Sequence, residues 1–137
     1  MNLQKLIKLL EEKLIENDFS DFSIEKDTNS NSLFIISESG FDIGILISES
    51  GNVFFECQLA SEVQELKRIA MLEMLNHLSF KYHISFVLDE NDDVYLKYIF
   101  ITCGDEIKIC EQILVTLNYL INIILIFIYI DDIMCII

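Results

Sequence analysis

The sequence predicts an α+β fold, an antiparallel β-sheet with helices packed on it in the order α-β-β-β-α-β-β-α. Three observations predict it. Residues 61–82, SEVQELKRIAMLEMLNHLSFKY, have helical spacing and are apolar on more than one side. Short alternating segments separated by turn signals lie before and after that stretch, and strands joined so closely pair antiparallel. Two further helical patterns stand near the two ends of the chain, where they can cover the sheet's apolar face.

Residues 2–17 read as the first helix, because Leu3, Leu6, Ile7, Leu10 and Leu14 recur at three and four, with Lys5, Lys8, Glu12 and Lys13 opposite. Asn17-Asp18 closes it. Phe19, Phe22 and Ile24 begin an extended segment, an additional short strand at 19–25, which ends in the turn-forming run DTNSNS. Strands are expected at 33–37 and 41–48, with Gly44 marking a bulge or a close backbone approach. The tetrapeptide SESG precedes Phe41 and recurs at 48–51, at hairpin spacing, and the strand VFFECQL follows. Ser61 is expected to cap the central helix, with Gln64 three residues on reaching back to it. Strands at 83–88 and 94–103 flank the acidic turn DENDD. Gly104-Asp105 then starts a last helix whose apolar face runs from Cys110 through Ile113, Leu117, Leu120 and Ile124 to Ile128.

At 137 residues the chain is read as one domain, 1–137, long enough to bury a core unaided. Its 23 acids against 9 bases leave a net charge of −14. Such a chain repels phosphate backbones and anionic membrane surfaces and attracts basic or amphipathic polypeptide. The start, MNLQKLIKLL, lacks the continuous apolar core and cleavage site of a secretory signal, so a cytoplasmic location is expected.

No catalytic, cofactor or metal constellation is legible. Cys57, Cys103, Cys110 and Cys135 form no CxxC pair, and a zinc site needs four convergent ligands. Asp89, Asn91 and Asp93 fall at the first, third and fifth positions of an EF-hand loop. Val94 then stands where that loop needs Gly, and Phe100 where it needs Glu. His77 and His83 have no nucleophile partner in any motif. With four glycines and neither GxGxxG nor GKS/GKT, no phosphate cradle is expected. Residues 113–130, ILVTLNYLINIILIFIYI, carry no charge and reach the lower limit for spanning a bilayer. Thr116, Asn118, Tyr119 and Asn122 within them, and Asp131-Asp132 after them, favour a helix buried on protein over a tail anchor.

Residues 69–98, IAMLEMLNHLSFKYHISFVLDENDDVYLKY, resemble the superfamily of class I type III secretion chaperones and YbjN-type proteins. Met74-Leu75-Asn76 is similar to the "LLN" ending of that family's central helix, and FVLDENDDVYLKY to the hairpin after it. Ser79 stands where YbjN-type helices have a second Asn, and the last helix here is more apolar. The resemblance implies a homodimer through the central helix, and in the chaperone branch a client polypeptide held on the first helix and sheet. The second apolar face of that helix places Ile69, Leu72, Met74 and Leu75 in the dimer interface. The residues the resemblance assigns to the client are Leu3, Leu6, Leu10, Phe34, Ile36, Ile45 and Ile47. A YbjN-type regulatory or accessory protein without a secreted client, and an acidic immunity-type inhibitor of a basic toxin, stay open as alternatives. Each reading is of a protein-binding, non-enzymatic chain with no cofactor.

Overall fold

The computed structural model describes residues 2–19, 21–26, 32–38, 40–48, 50–102 and 104–134. Three helices and six strands follow in the order α1 (Leu3–Glu16), β1 (Phe22–Lys26), β2 (Ser32–Glu38), β3 (Phe41–Ile47), β4 (Asn52–Ala60), α2 (Arg68–Tyr82), β5 (Ser85–Leu88), β6 (Val94–Ile101) and α3 (Glu106–Met134). The fold class is thus α+β, with the expected element order and β1 as the additional strand. Every neighbouring pair is antiparallel, and the strand order across the sheet is β1-β2-β3-β4-β6-β5.

Alternation along the strands assigns the two faces. Phe34, Ile36, Ile43, Ile45, Ile47, Val53, Phe55, Val94 and Leu96 are all buried at 0–1% exposure, while their sequence neighbours are not. They join one core with Leu6, Ile7, Leu10 and Leu14 of α1, Met71, Met74, Leu75 and Leu78 of α2, and Ile113, Leu117, Leu120, Ile124 and Phe127 of α3. All three helices therefore lie on one side of the sheet, and α1 packs beside α3. Two caps tie these helices down. Asn2 Oδ1 accepts from Lys5 N–H at the start of α1, and Asp105 Oδ1 accepts from Lys108 N–H at the start of α3. Asn2 N–H also donates to Glu106 Oε1 at 2.6 Å, which joins the two helix starts. That bond holds the Glu106 carboxyl below its ordinary pKa.

Three local expectations are corrected. Ser61 does not cap α2: the helix starts at Arg68 behind a 3-10 turn (Glu65–Lys67), and no side chain caps it. The reason is tertiary. Val63 is buried and its N–H donates to Asp92 O, while Glu62 N–H donates to Asp93 Oδ1, so residues 61–64 dock on the β5–β6 turn instead of coiling. The ion pair Arg68–Asp92 adds to that junction. Gly44 marks no bulge, because the registers on both sides of it run unbroken; the irregularity falls at Gln58/Ala60. Nor is Gly44 a close approach, since a Cβ there would meet its neighbours at ordinary contact distance, 3.6 Å from Glu56 O. The recurring SESG has a backbone reason, in that Gly40 and Gly51 each sit at a positive φ that other L-residues rarely adopt. Except for Ser32, the run DTNSNS lies outside the described residues, as do Cys103 and Cys135.

Candidate polypeptide-binding surfaces

Residues assigned to the client by resemblance are not a surface. Leu6, Leu10, Phe34, Ile36, Ile45 and Ile47 are at 0% exposure between the helices and the sheet, and Leu3 is partly buried against them. Residues three and four apart on α1, and two apart on β2 and β3, did identify an apolar face. That face is the core itself, because α1 closes over the strands.

The other side of the sheet is uncovered by any described element, and it is apolar. In register across four strands run Leu33, Leu46, Phe54 and Ile99, each opposite the next. The row beside it runs Ile35, Gly44, Glu56 and Lys97. Since Gly44 has no side chain, a groove of about 470 Å³ opens there, lined by Leu33, Ile35, Leu46, Phe54 and Tyr95, with Asp42 and Glu56 among its walls. Phe54 is 40% exposed and Ile99 52%. Lys97 lies over the Tyr95 ring, 5.6 Å from its centroid. An extended or helical segment could lay an apolar stripe along the Leu33–Ile99 row and set basic side chains against Asp42 and Glu56. The sequence carried a sign of this: SLFII, IGILI and VYLKYIFI are nearly continuous apolar runs, which suit strands covered on both faces.

The interface residues assigned on the central helix divide between its two sides. Met74 and Leu75 are buried in the core with Met71 and Leu78, at helical spacing, and cannot meet a partner. Ile69 and Leu72 do face outward, Ile69 at 72% exposure, and Leu66 (97%) and Phe80 (85%) extend their stripe.

Among the remaining polar candidates, the acidic turn has a structural role. Asp89 Oδ1 accepts from the N–H groups of Asn91 and Asp93, which shapes the tight turn. His83 ends α2 in the left-handed conformation, and His77 is exposed. Among the described residues no group of three or more His, Cys, Asp or Glu could hold a metal ion. Burial pushes the Cys57 thiol up to about 12, with the nearby Asp42 charge adding, and burial raises Cys110 as well. Thiols held protonated in this way are poor nucleophiles.

The last helix is long and apolar enough to cross a membrane by length and composition, and 33% of its most apolar window is buried within the chain. Ile113, Leu117, Leu120, Ile123, Ile124 and Phe127 face the core, and Tyr119 Oη donates to Tyr82 O at the end of α2.

No protein-family model matches the chain, and no curated protein matches its sequence.

Proposed function

We propose that this is a non-enzymatic protein-binding protein of the cytoplasm, a small acidic chaperone that holds an amphipathic, basic segment of a client protein on the open face of its sheet. The observation that carries the reading is the row Leu33–Leu46–Phe54–Ile99 beside the groove over Gly44. An apolar surface of this extent, edged by carboxylates on a chain of net charge −14, favours apolar side chains next to cations. The resemblance to secretion chaperones and YbjN-type proteins supports the same class of function. A second copy then covers the outward stripe of α2 (Leu66, Ile69, Leu72 and Phe80), because a self-complementary patch on a two-fold axis is the commonest way to bury such a face.

The test is binding of a labelled amphipathic leucine/lysine peptide, followed by anisotropy, against a scrambled peptide of equal charge that has no apolar stripe. The amphipathic peptide should bind more tightly, and Phe54→Ser or Leu46→Asp should remove the difference. Equal binding of both peptides, or indifference to both substitutions, overturns the assignment of the site. Turnover of a substrate by the purified chain overturns the non-enzymatic reading.

A further inference from the structure

The sheet ends unevenly on the β5 side. β5 is four residues long and pairs only with Val94–Lys97 of β6, through Leu88↔Val94 to Ser85↔Lys97. Beyond Lys97, β6 continues for Tyr98, Ile99, Phe100 and Ile101, paired with β4 on one side and with no described strand on the other.

Which backbone groups are left over follows from the ladder. Thr102 N–H donates to Gly51 O at 2.7 Å, and antiparallel pairs alternate, so the N–H and C=O groups of Ile99 and Ile101 point away from β4. These two residues also have outward side chains, Ile101 being 78% exposed. Natural edges are usually protected by a charge, a proline or a bulge, and 98–101 contains none of these. On the helix side the edge opens into a groove of about 670 Å³ between Tyr98 and Phe100 on β6 and Lys108, Glu111 and Val115 on α3.

We propose that this free half of β6 pairs with the same segment of a second copy, antiparallel about a two-fold axis at Phe100. That register sets Ile99 opposite the partner's Ile101 and Ile101 opposite the partner's Ile99. The outward N–H and C=O groups of one strand then meet those of the other, and the isoleucines of both strands share the open face. Phe100 meets the partner's Phe100 on the groove side. The local charges favour this occupant over a basic client. Lys108 and Glu111 on the wall of the edge groove offset each other and residues 98–101 carry no charge, although the chain as a whole is strongly acidic. Two copies therefore meet here without the repulsion that opposes contact elsewhere. Ser85 already occupies the position opposite Lys97, so in this register the pairing is limited to 98–102, with Tyr98 opposite the partner's Thr102, about 17 Å of strand. So short a contact is weak and reversible. It is separate from the α2 stripe and borders the client row at Ile99, and a chain using both two-fold contacts assembles past the dimer.

The test is a cysteine placed on the axis. Phe100→Cys, in a chain also carrying Cys103→Ser and Cys135→Ser, brings two thiols to a non-hydrogen-bonded pair at a separation a disulfide accepts. The remaining thiols, Cys57 and Cys110, are buried. Mild oxidation should convert most of the chain to a covalent dimer, whereas Val115→Cys in the same background should stay largely monomeric. As a second variant, Ile101→Lys places a charge at an exposed position that the fold tolerates. In the Leu72→Glu background, where the α2 contact is removed, it should weaken reversible self-association by about tenfold or more. A Phe100→Cys chain that crosslinks no faster than the Val115→Cys control overturns the proposal. So does a Leu72→Glu/Ile101→Lys chain that sediments like Leu72→Glu alone. Either failure leaves the α2 dimer and the peptide site standing, since both have separate readouts.

Discussion

Leu6→Ala separates the inner layer from the open face of the sheet. Leu6 is at 0% exposure on α1, in the core with Phe34, Ile45 and Leu10. Removing three carbons from a site closed on all sides costs the transfer energy of those atoms plus the cavity they leave, about 3 kcal/mol. For 137 residues at about 2.1 cal/mol/K each, the unfolding entropy is near 0.29 kcal/mol/K, so Tm should fall by roughly 10 °C. Phe54→Ser, on the open face, removes a larger side chain that is already 40% exposed, and it should shift Tm by only about 3 °C or less. Binding should show the reverse order: the folded Leu6→Ala protein keeps the wild-type affinity for the amphipathic peptide, and Phe54→Ser loses it. The assays are thermal unfolding by circular dichroism and peptide anisotropy below both transitions. A Leu6→Ala protein with unchanged Tm and lost binding would refute the reasoning, because it would place α1 in the site and not in the core.

Leu72→Glu puts a carboxylate into the outward stripe of α2, so sedimentation at tens of micromolar should show it lighter than wild type. A wild-type chain that is already monomeric there defeats the α2 contact. Gly51→Ala should lower stability by about 1–2 kcal/mol for the positive φ alone, and by more because its Cβ would come within 2.7 Å of Thr102 Oγ1; urea unfolding measures it. Glu106 has a depressed pKa because it accepts the Asn2 N–H, so its contribution is present above the ordinary carboxylate range and is lost as pH falls through the depressed value. Glu106→Gln should therefore narrow the stability difference between neutral and strongly acidic pH, as read from Tm against pH. The chain expressed alone should partition with the soluble fraction without detergent, and recovery only from a carbonate-resistant membrane pellet would show α3 inserted in lipid.

Much of the fold is written in local pattern. The 3.6-residue spacing of Leu3, Leu6, Ile7, Leu10 and Leu14 requires a helix with one buried face wherever the rest of the chain lies. Period-two alternation and the positive-φ glycines of the two SESG turns require hairpins of β2, β3 and β4. Asp105 marks the start of α3 because its carboxylate answers a free helix amide three residues on. Each of these signals is carried by residues within a turn or two of one another. What the sequence could not decide are contacts between distant residues. Ser61 and Gln64 have the residue types of a capping box, but Val63 is held by Asp92 across the fold, and the cap does not form. Met74 and Leu75 are as apolar as Ile69 and Leu72. Only the placement of α2 over the sheet assigns the first pair to the core and the second to the outside. The largest such decision is the insertion of β6 between β4 and β5. Period-two alternation is blind to strand order. Once β6 lies between β4 and β5 and β5 stops after four residues, the outward row from Leu33 to Ile99 becomes continuous and no described strand pairs with the edge at Ile99 and Ile101.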